Sequence, residues 1–204
     1  MSDSIAHIAL AASEPFTTDG AAASTACGVV ATHVKGPGIA SVMMRRGTFQ
    51  SFKERLSLEF GAAVELQAQC VHGRRLKLIP VAPGAWMAVG ESNIVAHLQE
   101  RLSDLASVAD QSSGYVILRL SGPSVRDALA KLIPVDLHPQ AFHVNDAAST
   151  VAAHIGLTLW RCEDLVEGHA VFELACFRSF SACLVRSLRE SAAEFGFSLQ
   201  RASG

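Results

Sequence analysis

A chain of 204 residues can bury a sizeable core and suits one domain or a pair of small ones. Half of its residues are hydrophobic and only 18 % are charged, against ~25 % in an ordinary globular domain, so some apolar surface is expected to meet another protein chain. A net charge of -2 leaves no global footprint for nucleic acid, and no apolar run reaches the ~18 residues of a membrane span.

Residues 1–37 are rich in Ala, Ser and Thr, show no clean periodicity and end at Gly36-Pro37-Gly38. They read as an N-terminal arm, mobile or laid across a partner, with a short element of undecided type around Ala6–Ala11. The first α/β half, 38–108, opens with the apolar run Ile39–Met44. Phe49, Phe52, Leu56 and Phe60 then recur at three- and four-residue spacing, which predicts a helix closed by Gly61. Two strands follow, Arg74–Ile79 and Ala85–Val89, joined by the turn-forming Pro80-Val81-Ala82-Pro83-Gly84. A second helix begins near Ser92 as N-cap and carries Ile94, Leu98, Leu102 and Leu105 as its buried stripe.

The second half, 109–204, repeats that order. Tyr115–Leu120 reads as a strand. It meets the corner Ser121-Gly122-Pro123-Ser124 and becomes a helix with Val125, Leu129 and Leu132 inward. Ser124 and Asp127 resemble a capping box, and Pro123 sits where a first turn tolerates it. After a loop over Pro134–Asn145 come strands at Thr150–His154, Leu157–Cys162 and His169–Cys176. A last helix runs from Arg178 to Phe195, with Phe180, Leu184 and Leu188 on its core face and Gly196 at its end. The fold class is therefore α+β: two pseudo-repeated β-α-β-β-α halves meeting near Ser107–Ser113 in one compact unit.

Motifs that carry chemistry are missing. No nucleophile elbow, dinucleotide fingerprint, P-loop, metalloprotease or calcium-loop spacing occurs. The Ser-Gly-Pro-Ser corner offers free N–H groups to an anion, but corners at Gly90–Ser92 and Phe177–Ser179 look alike, which favours architecture. His138 and His143, with Asp136 and Asp146, match no zinc pattern and read as loop histidines. Cys70 with His72, and Cys162 with His169, lack a third group to orient a base. Asp110 is a candidate general base, or a turn residue. No catalytic, cofactor or metal residue is assigned. Trp86 and Trp160 read as core residues or as partner contacts, because Trp is enriched at interface hot spots. Eight basic residues between Lys35 and Lys77, against three acidic ones, read as a solvated face or a docking patch for an acidic partner, with Arg45 and Arg46 as its candidate contacts. Five cysteines without C-x-x-C spacing, and no secretory signal, suggest a reducing compartment and a cytoplasmic location.

The strings "ADQSSGYVILRLSGPSVRDALAKLIPVDLHPQAF" (Ala109 to Phe142), "STVAAHIGLTLWRC" and "FELACFRSFSACLVRSLRESAAEFG" resemble the gamma subunit of heterotetrameric sarcosine oxidase. The most specific marks are Asp110-Gln111-Ser112, Ser121-Gly122-Pro123, Asp136-Leu137-His138-Pro139 and Arg178-Ser179-Phe180. The resemblance implies the folate-binding fold of the glycine-cleavage T-protein, cut down. It implies a non-catalytic subunit that supports assembly with alpha, beta and delta subunits, alpha most directly. FAD, FMN, NAD, tetrahydrofolate and zinc would sit on those other subunits, none on this chain, and nucleic acid and membrane would not be partners. The complex would demethylate sarcosine oxidatively, with tetrahydrofolate as one-carbon acceptor. The alternatives are the equivalent subunit of another secondary-amine dehydrogenase, such as one for N-methylglutamate, or a free-standing folate-dependent aminomethyltransferase-like enzyme.

Overall fold

The computed structural model describes residues 27–201. The element expected around Ala6–Ala11 and most of the expected arm lie outside them. Within the described residues the chain divides into two compact units, each built on one sheet.

One unit comprises Gly36–Gly114 and Asn145–Ala148. Its strands are β2 (Gly38–Met44), β3 (Val71–His72), β4 (Leu76–Ala82), β5 (Ala85–Gly90) and β6 (Ala106–Asp110), in the order β3-β4-β5-β2-β6 with antiparallel pairing throughout. Helices α1 (Phe49–Phe60) and α2 (Ile94–Leu102) cover one face. Phe52, Leu56 and Phe60 of α1 and Ile94, Leu98 and Leu102 of α2 are buried against Ala40, Val42, Leu78, Trp86 and Ala88. The expected stripes are therefore the core, except that Phe49 is half-buried and Leu105, though buried, lies beyond the end of α2. Phe52 stacks on Trp86 with ring centroids 5.3 Å apart, a contact worth about 0.5–1.5 kcal/mol beyond its area. Gly61 closes α1 in the left-handed conformation, its N–H returning to the carbonyls of Ser57 and Leu56. Ser92 does not cap α2: Asn93 holds that position, without a side-chain hydrogen bond.

The other unit comprises residues 27–35, Tyr115–Val144 and 149–201. Its strands are β1 (Val29–His33), β7 (Tyr115–Ser121), β8 (Ala147–Ala152), β9 (Ile155–Cys162), β10 (Val171–Phe177) and β11 (Phe197–Arg201), in the order β11-β1-β7-β10-β9-β8. Helix α3 (Val125–Ala130) and, after a 3-10 turn at Arg178–Phe180, helix α4 (Ser181–Ser191) pack on one face. Val29 lies against Ala128 and Ala192, and the Arg126 guanidinium sits 5.3 Å over the Phe172 ring.

The repeat is real and longer than β-α-β-β-α. Both units run strand, helix, three strands, helix, strand: β2 to β6, then β7 to β11. The order β3-β4-β5-β2 recurs as β8-β9-β10-β7. In the first unit β6 pairs antiparallel with β2. In the second that place beside β7 is taken by β1, and β11 pairs parallel to β1 outside it. Residues 29–33, expected in the arm, thus form an interior strand, with Val29 and Ala31 fully buried. The expected division at 108/109 gives way to interleaved units, because β6 completes the first sheet and the second recruits a strand from upstream of the first.

Candidate interaction surface

The Ser-Gly-Pro-Ser corner is a packed crossing of segments. Gly122 has φ +120, and a Cβ there would lie 2.4 Å from the Gly28 carbonyl oxygen. The Ser124 N–H donates to that same oxygen at 3.0 Å. Ser124 makes no side-chain cap bond, so the expected capping box with Asp127 does not form. The other sequence marks also act as fasteners. Ser112 Oγ accepts from Ile39 N–H at 3.0 Å, tying the end of β6 to β2. Asp136 accepts from the His138 N–H, and the Leu137 carbonyl accepts from Arg126. Arg178 donates to the Tyr115 carbonyl at 3.1 Å.

The candidate chemical groups are engaged in the same way. Asp110 is exposed on edge strand β6 and accepts from the Ser112 N–H at 2.8 Å. The Ser112 side chain, and then its backbone N–H, hold the carboxyl below the usual Asp range, which favours the anion and makes it a weak base. His72 Nε2 lies 2.9 Å from Asn145 Oδ1, and Gln69 donates to Asp146, so this cluster ties the β3 region to the segment entering β8. His169 Nδ1 lies 3.6 Å from Glu167. Among the described residues no group of three His, Cys, Asp or Glu could hold a metal ion.

Trp86 and Trp160 are buried, at 2 % and 1 % exposure, so neither indole is available to a partner. Trp86 is on β5 and Trp160 on β9, the counterpart of β4. Trp160, Glu173 and Arg119 stand in register across β9, β10 and β7. The indole N–H donates to Glu173 Oε2 at 2.9 Å, and Arg119 donates to Oε1 at 3.1 Å. Sequence reading missed this buried carboxylate. An acidic residue alternating with apolar ones on a central strand was the available signal. Of the basic cluster, Lys53 pairs with Glu65, Arg75 with Glu91 and Arg55 with Asp104. Arg45 donates to the Ser103 carbonyl at 3.3 Å, and it and Arg46 are exposed.

What the second unit leaves open is apolar. Tyr115 and Phe177, directly opposite across β7 and β10, pack with ring centroids 4.7 Å apart. They, with Val151, Leu157, Thr158 and Ala175, line an open groove of about 430 Å³ towards edge strand β8. Phe177 is 49 % exposed and Val151 46 %. Among the described residues no carboxylate, imidazole, thiol or cation lines the groove, and burial pushes the Tyr115 phenol up from its usual pKa. Phe180, expected on a core face, is 47 % exposed. The 3-10 turn breaks its phase with Leu184 and Leu188, because α4 starts only at Ser181. The arrangement supplies contact area at an edge, with the Tyr115 phenol as its one ionisable side chain among the described residues.

Comparison with known proteins bears on the family and the fold. The chain is 33 % identical over 118 residues to the sarcosine oxidase subunit gamma of Corynebacterium sp. (strain P-1), covering 56 % of this chain and 57 % of that one. It is 48 % identical over 54 residues to that of Arthrobacter sp., covering 26 % and 27 %. The match thus spans little more than half the length of the Corynebacterium relative and about a quarter of the Arthrobacter one. Among solved structures the fold matches a chain of heterotetrameric sarcosine oxidase from Corynebacterium sp. U-96, in complex with pyrrole 2-carboxylate, at TM-score 0.74 and 23 % identity over 93 % of both chains. It also matches glycine cleavage system aminomethyltransferase T from Bartonella henselae at TM-score 0.59 and 17 % identity, over 87 % of this chain and 48 % of that one. The expected T-protein-like fold is thereby shown. Residues 49–194 match the sarcosine oxidase, gamma subunit family, and the chain belongs to that family.

Proposed function

We propose that this chain is the non-catalytic gamma subunit of a heterotetrameric sarcosine oxidase and acts by association with the alpha, beta and delta subunits, alpha most directly. The observation that carries the reading is the open groove at Tyr115 and Phe177. It presents contact surface without a carboxylate, imidazole, thiol or cation among the described residues, in a chain whose family is the gamma subunit. Exposed aromatic anchors beside an edge strand suit a protein interface, where Tyr and Phe are enriched. FAD, FMN, NAD, tetrahydrofolate and zinc then reside on the partner subunits. The complex oxidises sarcosine in the cytoplasm, with tetrahydrofolate as one-carbon acceptor. The equivalent subunit of an N-methylglutamate-type dehydrogenase has the same physical requirements.

The likeness to aminomethyltransferase T favours a second reading, a folate-dependent enzyme in its own right. Asp110, lowered in pKa and engaged in a turn, argues against it. Two measurements separate the readings. Co-expression with the other three subunits should give one complex on gel filtration, and omitting this chain should lower its yield and its sarcosine turnover. Calorimetry with tetrahydrofolate on the chain alone should show no heat of binding. Micromolar folate binding by the lone chain, with the complex assembling unchanged in its absence, would establish the second reading instead.

A further inference from the structure

We propose that the loop joining β9 to β10, residues 163–169, is a docking knob that seats Val166 and Leu165 in an apolar pocket ringed by Lys or Arg side chains on a partner subunit. This rests on the assembly role above and adds the element and the chemistry of the contact. The loop lies at the opposite end of β9 and β10 from the Tyr115–Phe177 groove, because Cys162 pairs with Val171 there.

Val166 is fully exposed and Leu165 is 38 % exposed. They occupy the first two positions of a turn closed by the Gly168 N–H on the Leu165 carbonyl at 2.7 Å, with Gly168 at φ +81. Turn positions ordinarily carry Gly, Pro, Asn, Asp or Ser, so a β-branched apolar residue at the tip is out of character for a solvated loop. The loop is also held from below. The Leu165 N–H donates to the His169 carbonyl at 2.9 Å. Asp164 receives two hydrogen bonds from Arg161, at 2.9 and 3.0 Å, and Arg161, whose side chain is 9 % exposed, donates also to the Phe142 carbonyl. A tip fixed in advance loses little freedom on docking, which is what an interface anchor requires.

Charge selects the pocket. Residues 163–169 contain Glu163, Asp164 and Glu167 and no Lys or Arg. Asp164 is committed to Arg161, while Glu163 is exposed and the Glu167 side chain, 3.6 Å from the His169 imidazole, is still 77 % exposed. An apolar tip rimmed by carboxylates is complementary to an apolar pocket rimmed by cations, and like charges around that pocket would repel it.

The test uses the four co-expressed subunits and two variants of this chain, Leu165→Ser with Val166→Ser, and Glu163→Lys with Glu167→Lys. Affinity of the purified chain for the remaining subunits is measured by biolayer interferometry at low and at high salt, with the Tm of each variant alongside. The serine pair should weaken binding about tenfold or more at unchanged Tm. The lysine pair should slow association about tenfold at low salt and much less at high salt. Either variant binding within about twofold of wild type at low salt would overturn the knob or its basic rim respectively. Loss confined to self-association of the chain alone would overturn the partner pocket and assign the knob to a second copy. A wild-type chain that fails to bind the other subunits overturns the assembly reading itself, a result distinct from these.

Discussion

Glu173 offers the sharpest test of how the second sheet is held. It is 6 % exposed, and its carboxylate takes a hydrogen bond from the Trp160 indole at 2.9 Å and one from Arg119 at 3.1 Å. A hydrogen bond to a charged group nets about 1.5–3 kcal/mol, and the Trp160 bond, buried on both sides, belongs in the middle of that range. The Arg119 side chain is 41 % exposed, so solvent screens its share to about 0.5–1 kcal/mol. Glu173→Gln keeps the shape and leaves a neutral acceptor for the indole, which retains about 1 kcal/mol of that bond. The net loss is therefore about 2 kcal/mol, or roughly 4–8 °C in Tm for a chain of this size. Trp160→Phe removes the donor and should cost a similar amount. Urea unfolding followed by far-UV circular dichroism on both single variants and the double variant closes the cycle. The double variant should fall short of additivity by about 1–2 kcal/mol, because Trp160→Phe removes the shared bond outright and Glu173→Gln alone already removes its charged part. Additivity within about 0.5 kcal/mol would refute the coupling and leave the register of β9, β10 and β7 to apolar packing alone.

Four further outcomes follow from backbone strain and thiol burial. Gly122→Ala places a side chain at φ +120 and 2.4 Å from the Gly28 carbonyl oxygen, so it should cost about 3 kcal/mol or more in urea unfolding; a wild-type midpoint would show that the corner yields. Ala153 and His154 both sit at positive φ, 46 and 72, between β8 and β9, where a two-residue hairpin favours Asn-Gly. Ala153→Asn with His154→Gly should therefore raise stability by about 1–2 kcal/mol, read as a higher Tm. Cys183 is exposed and should react with a thiol reagent in the native chain, whereas buried Cys176 should not. Burial pushes the Cys176 pKa up to about 11, so its neutral thiol favours the fold fully below the unfolded Cys range and loses that contribution as pH rises towards 11. Cys176→Ala should flatten the fall in Tm over that alkaline window, and an unchanged slope would exclude the thiol as its cause.

Most of the architecture was legible because period survives in the sequence. Phe52, Leu56 and Phe60 mark a helical face, and the apolar runs of β2, β5, β7, β9 and β10 mark strands with one or both faces buried. The strands that escaped are the ones whose pairing, not composition, makes them strands. β3 has only two residues, β6 is Ala-Ser-Val-Ala-Asp, β1 begins at the end of an Ala- and Thr-rich stretch, and β11 is a five-residue run just past the last helix. The backbone groups of β6, β1 and β11 are satisfied by neighbours far away in sequence, β6 by β2 and β1 by β7 and β11, while β3 is a two-residue pairing with β4 too short to show a pattern.

The contact surface was harder, for a reason visible in four aromatic residues. Burial was undecided for Trp86 and Trp160, and Phe180 was placed on a core face; the structure puts both indoles inside and leaves Phe177 and Phe180 half exposed. The two tryptophans lie within antiparallel ladders, where a strand's middle is covered. Phe177 is the last residue of β10 and Phe180 ends a 3-10 turn, so each sits just past the point where its element's covered face stops. Hydrophobicity says that a side chain prefers to leave water; the end of the element decides whether this chain's own core or another molecule receives it. In a fold built from two copies of one strand-helix pattern, the residues at element ends are where the copies are free to differ. Tyr115, Phe177 and the loop tip at Val166 lie at such ends, where exposed apolar area can be added without disturbing the repeat.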